Sequence, residues 1–158
     1  MKKYLKGITA IAILFSVVAC NKTKTTSNRF MDGGEWNVTE LSVGGVNEEE
    51  LPTWEVEECD LYNESCFAEW KNEEGGHAEF VWQFREKANT FEISHQAKEE
   101  EHEGEEEHAH ADEEVAEQAY NFSGVYSVSE KSKTAMEFTT TSAAGFAGSS
   151  VKIKIEKK

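Results

Sequence analysis

Histidine set among carboxylates is ligand chemistry for borderline divalent cations, and one stretch of this chain concentrates it. Lys98 to Glu117 reads KEEEHEGEEEHAHADEEVAE, eleven acidic side chains against one lysine, with His102, His108 and His110 among them. Imidazole suits zinc, copper and nickel, and carboxylates add oxygen donors that neutralise the ion's charge. His108 and His110, two positions apart, converge on one ion from an extended backbone but not from one face of a helix. On a helix the neighbours are instead His102 with Glu106 and His110 with Glu114. Either geometry supplies two or three ligands, which predicts exchangeable binding and not a closed site. The bland alternative is an acidic insert without an apolar face, disordered or helical, kept in solution by its charge. His77 opens one β-type run and His95 closes another, so both read as strand-end residues outside the ligand set.

No other constellation points to a reaction. The chain has no G-x-S-x-G elbow, no H-E-x-x-H and no glycine-rich phosphate loop, and no enzymatic activity is expected of it. A formal net charge of −15 argues against a nucleic-acid partner, because it repels the phosphate backbone, and favours attraction of cations.

The first twenty residues, MKKYLKGITAIAILFSVVAC, decide where the chain goes. Lys2, Lys3 and Lys6 precede an apolar run from Ile8 to Val18 and the small Ala19. That is the order of a secretory signal, and the run is shorter than the roughly 20 residues a membrane-spanning helix needs. Val17-Val18-Ala19-Cys20 resembles a bacterial lipobox. The resemblance implies that residues 1–19 are removed as a signal peptide and that Cys20 becomes the lipid anchor, acylated on its thiol and, with palmitate or a similar chain, on its amine. It also implies a place in the cell envelope facing the periplasm or the exterior. Asn21, where an aspartate would favour the inner membrane, points to the outer membrane. Loss of the leader leaves 139 of the 158 residues and, with its three lysines gone, takes the net charge to −18. Cys59 and Cys66 then form an even pair in an exported chain, and a disulfide between them is expected. Closing CDLYNESC would constrain the unfolded chain by roughly 2.5 kcal/mol. Two thiolates acting as metal ligands or a redox pair are the alternative, although such cysteines usually sit closer together.

After the anchor, Asn21 to Asn28 (NKTKTTSN) is small, polar and without periodicity, so residues 20–33 read as a tether. From Glu35 the chain breaks into short runs alternating apolar and polar residues, the signature of antiparallel strands. Eight are counted: Glu35 to Val43, Thr53 to Leu61, Cys66 to Lys71, His77 to Arg85, Thr90 to Gln96, Tyr120 to Val128, the run of Met136 and Phe138, and that of Val151, Ile153 and Ile155. The apolar parity of the first shifts between Val38 and Leu41, which predicts a bulge. Asn72 to Gly76 (NEEGG) is a hairpin turn. Sequential strands joined by short turns remove their open edges by closing, so the expected architecture is all-β, an eight-stranded antiparallel up-and-down barrel over residues 34–158 with the acidic insert at 98–117. A β-sandwich of the same strands is the alternative.

Gly34-Glu35-Trp36 at the first strand, the eight alternating runs and the lipobox together resemble the lipocalin-like lipoproteins of Bacteroidetes. The resemblance implies that Trp36 closes one end of the barrel, with Lys152 or Lys154 of the last strand as its cation–π partner. It further implies a monomeric, membrane-anchored protein binding a small apolar or amphiphilic ligand among Trp36, Trp54, Trp70, Phe80, Trp82, Phe84, Tyr120 and Tyr126. The acidic insert also resembles, in composition, the His-rich loops of bacterial zinc-binding lipoproteins. From it comes the second expectation, an envelope protein holding zinc, copper or nickel through His102, His108 and His110; no cofactor is required on either reading.

Overall fold

The computed structural model describes residues 22–57, 59, 66–95 and 106–158, with residues 106–111 described by their backbone alone. Residues 1–19, read from the sequence as a signal peptide, and Cys20, Glu58, residues 60–65 and His102 lie outside these residues. The order of elements is helix α1 (22–33), β1 (Glu35–Val43), β2 (Val46–Asn47), β3 (Thr53–Val56), β4 (Phe67–Lys71), β5 (His77–Arg85), β6 (Thr90–Ser94), helix α2 (Glu106–Asn121), β7 (Gly124–Lys131), β8 (Ala135–Thr140) and β9 (Val151–Lys157).

Each strand from β3 to β8 pairs antiparallel with its successor, β1 pairs with β3, and β1 also pairs with β9. That last ladder closes an eight-stranded barrel, with the two-residue β2 as an appendage folded back on β1. Closure leaves no second sheet, so the fold is the barrel and not the sandwich. The β1–β9 register shifts between Val38 and Glu40, where the parity of β1 changes. The NEEGG turn joins β4 and β5 in register Lys71↔His77.

Period-2 alternation sends large side chains inward from every wall. Trp36, Trp54 and Trp70 stand opposite one another across β1, β3 and β4. Phe80, Trp82, Phe84, Phe91, Tyr126 and Phe138 join them, and all nine are buried. Neighbouring rings lie within stacking or edge-on range, Trp54 and Trp70 at 5.4 Å, Phe91 and Phe138 at 4.5 Å. Such contacts add about 0.5–1.5 kcal/mol per pair beyond their area. On the outer face Lys71 pairs with Glu55 and Glu69, Arg85 with Glu92, Lys152 with Glu40 and Glu137, Lys154 with Glu156, and Lys158 with Glu35. Glu55 and then Glu69 hold the Lys71 ammonium above its ordinary pKa by accepting its hydrogen bonds. Cys59 and Cys66 form a disulfide across the β3–β4 connection, with Cα atoms 4.5 Å apart.

Three expectations are corrected. Residues 22–33, read as part of a tether, are helical, with Thr26, Ser27 and Phe30 buried. Thr, Ser and Asn are poor helix formers, so the helix owes its existence to docking on the barrel and not to propensity. The run Tyr120 to Val128 is not one strand: α2 extends to Asn121 and β7 begins at Gly124. Val115, Ala119 and Phe122 carry a helical i, i+4, i+7 spacing that the alternation of Tyr120, Phe122 and Gly124 masks, and all three are buried. The end of the insert therefore carries, at Val115, the start of an apolar face that continues beyond it. The strand predicted from Thr53 to Leu61 ends, among described residues, at Val56.

Candidate functional site

The two ends of the barrel are closed by different helices. At the end where β1 begins, α1 runs into the strand through Gly33 and Gly34. Gly34 has φ +66°, the left-handed residue that ends a helix, and its amide donates to Met31 O at 2.8 Å. A Cβ on Gly33 would fall 2.3 Å from the Trp36 indole nitrogen, so only glycine lets that ring lie flat against the turn. The geometry swings Phe30 into the barrel. Its ring is wholly buried and meets Trp36 at 5.7 Å, Trp54 at 6.4 Å, Trp82 at 4.7 Å, Phe84 at 5.9 Å and Phe91 at 5.5 Å. Trp36 Nε1 donates back to Phe30 O at 2.9 Å.

The cation predicted for Trp36 is not there. Val151, Ile153 and Ile155 point inward, so Lys152 and Lys154 point outward to their carboxylates, and the ring stacked on Trp36 is Phe30. Sequence reasoning missed Phe30 because a single aromatic in a polar run carries no period. Of the eight ligand residues proposed from sequence, Trp36, Trp54, Trp82 and Phe84 surround Phe30. Trp70 and Phe80 pack farther along, against each other at 6.1 Å, and Tyr126 is buried with its hydroxyl donating to Phe122 O at 2.5 Å. Burial raises the Tyr126 pKa well above the ordinary phenol value. Tyr120 is excluded: it lies on the outward face of α2, about half exposed at 52%. Among the described residues two buried side-chain nitrogens lack a partner, Trp54 Nε1 in the interior and His95 Nε2 at the rim. The buried Trp54 Nε1 donates to no acceptor, a deficit of about 1–3 kcal/mol for a group cut off from water.

At the opposite end α2 lies across the rim. Phe122 stacks on Trp70 at 6.0 Å and contacts Phe146 at 5.0 Å, and Trp70 Nε1 donates to Gln118 Oε1 at 2.8 Å. Beside the helix is a concavity of about 230 Å³ carrying Glu48, Glu50, Glu114 and Glu117 over Phe122 and Phe146, with no basic residue in its lining.

The metal expectation divides. His108 and His110 lie on the α2 backbone, while His102 is outside the described residues. His77, set aside from sequence, meets Asp112: its amide donates to Asp112 Oδ1 at 2.9 Å and Nδ1 lies 3.3 Å from the same oxygen. Residue 108 is one helical turn before Asp112. Among the described residues no three His, Cys, Asp or Glu side chains are grouped as a metal site. His95 lies at the rim as expected, Nδ1 2.7 Å from Glu79 O.

A second concavity, about 490 Å³, lies under α1 at the other end. Lys22, Thr25, Thr26 and Arg29 from one face of the helix, Lys87 and Asn89 from the β5–β6 turn, and Lys131 from the end of β7 line it. Compared with protein-family models, curated proteins and solved structures, the chain matches none.

Proposed function

We propose that this chain is a lipid-anchored envelope binding protein whose barrel takes a small amphiphilic ligand carrying one aromatic or similarly compact apolar group, and that Phe30 occupies that group's place in the closed form. The observation that carries the reading is Phe30 itself. An aromatic ring from an element outside the sheet is seated among five aromatic side chains of the barrel, so the interior already binds a benzyl group in cis. The seat is ring-sized: an apolar cavity of roughly 150 Å³ is enough to hold benzene. A long acyl chain does not fit this account, since Trp70, Phe80 and Phe138 fill the barrel beyond. The unpartnered Trp54 Nε1–H supports a ligand with a hydrogen-bond acceptor beside its ring. Withdrawal of α1 then opens the site, at the cost of taking Phe30 out of the barrel, which the ring of the ligand offsets by taking its place.

Binding of indole and phenol derivatives to the full chain, followed by quenching of the buried tryptophans, tests this. Phe30→Ala should bind at least tenfold more tightly than the parent, because the ligand no longer competes with the internal ring. Equal, absent binding in both proteins would leave the barrel a filled core and overturn the proposal.

A second reading keeps the acidic insert as a divalent-metal site, favoured by the convergence of His77 and Asp112. Calorimetric titration with zinc, copper and nickel should show binding that His77→Ala and His108→Ala each weaken. Indifference to both substitutions would remove it. Deleting the insert is the wrong control, because Val115 belongs to the core and Ala116 packs against it.

A further inference from the structure

Cations on the barrel wall and cations under α1 are treated differently. Lys71, Arg85, Lys152, Lys154 and Lys158 each meet a glutamate. Among the described residues, Lys22, Arg29, Lys87 and Lys131 form no ion pair, yet they share one concavity with no carboxylate in its lining. In a chain with 31 acidic and 16 basic residues, four cations facing one another without a counter-charge are unfavourable to the fold unless an anion joins them. The effect is visible on Lys131, whose pKa is lowered by burial and by the charge of Lys22.

We propose that this concavity is a binding site for the phosphate group of a phosphate ester. Lys131 Nζ is held in place by Ala88 O and Asn89 Oδ1, both at 2.8 Å, leaving one of its three N–H donors for a ligand. Arg29 supplies a planar fork suited to phosphate oxygens, and Lys22 and Lys87 supply point charges from the helix and the turn. The turn is built for the purpose at some expense: Glu86, Lys87 and Ala88 are consecutive non-glycine residues at φ 52°, 62° and 60°. Each left-handed residue is unfavourable, and such strain collects at ligand-binding loops. The volume exceeds that of a bare anion and leaves room for the ester's organic part. Two sources share this chemistry, a soluble phosphate ester and the headgroup of an anionic phospholipid. Lys22 is two positions from Cys20, so a headgroup is within reach if the proposed anchor is in place.

The test uses the full chain in neutral-detergent micelles and reads amide shifts of residues 22–29, 87–89 and 131 by NMR. Inorganic phosphate, glycerol phosphate and short-chain phosphatidylglycerol are titrated separately, with short-chain phosphatidylcholine as the neutral control. Saturable shifts in both α1 and the turn are expected. The double variant Lys22→Ala, Lys87→Ala, two exposed positions whose loss leaves the core intact, should weaken them about tenfold. Lys154→Ala on the wall should leave them unchanged. Stronger binding of glycerol phosphate than of the lipid assigns a soluble ester; lipid-induced shifts competed away by free phosphate assign a headgroup. No saturable shift with any probe overturns the site. So do shifts equally weakened by Lys154→Ala, or lipid shifts that free phosphate does not displace, since these report diffuse attraction to the surface.

Discussion

The two ends of the barrel solve one problem in opposite ways. Both must be covered, because an aromatic interior open to water would forfeit its hydrophobic stabilisation. At the α2 end an amphipathic helix lies over the rim and keeps its own aromatic, Phe122, at the boundary. At the α1 end a helix with almost no apolar stripe sends one ring into the interior. The polar surroundings differ in the same sense, four glutamates beside α2 and four unpaired cations beneath α1. The difference teaches that α2 caps the barrel with an apolar stripe, while α1 is a stopper whose one large buried side chain is Phe30.

If that contrast holds, truncation at the two ends has unequal cost. Phe30→Ala leaves a cavity bounded by a closed barrel that cannot collapse, and should lower stability by about 3–5 kcal/mol at the upper end of that range. Phe122→Ala lets α2 settle on the rim and should fall at the lower end. Urea unfolding of the two variants decides, and a larger loss at Phe122 would break the comparison. Next in size, Gln118→Leu strands the Trp70 indole N–H under α2 and should remove about 1–3 kcal/mol in the same assay.

The smallest effect sharpens the α2 end alone. Tyr126→Phe removes the hydroxyl that donates to Phe122 O where α2 leads into β7, for about 0.5–1.5 kcal/mol near neutral pH. The folded-state pKa of this phenol is raised, so the stability it contributes is whole below the unfolded value of about 10 and is lost as pH rises beyond it. The parent should therefore lose stability above about pH 10, and the variant should lose less. Identical alkaline profiles would show that Tyr126 is not responsible.

Much of the fold was legible because strand alternation is a local signal. His77 to Arg85 alternates Phe80, Trp82 and Phe84 with polar residues, and its hairpin, its register and its inward face all follow from that. The bulge in β1 was legible for the same reason, as a change of parity. The helices were less so: a helical insert was one of two alternatives the sequence left open, and α1 was not foreshadowed. In α2 the stripe Val115, Ala119, Phe122 is three residues deep and continues into an apparent strand, so two periods overlap at Tyr120. In α1 there is no period at all.

The sequence by itself determined that the chain forms eight inward-alternating antiparallel strands, and that Cys59 lies near enough to Cys66 to bridge, since both are settled between near neighbours along the chain. Only the tertiary structure decided that Phe30 fills the interior, that Asp112 meets His77 across α2 and β5, and that Lys22, Arg29, Lys87 and Lys131 share one concavity. These groupings join residues as much as 109 positions apart, and what brings them together is barrel closure and helix docking, which no local pattern encodes.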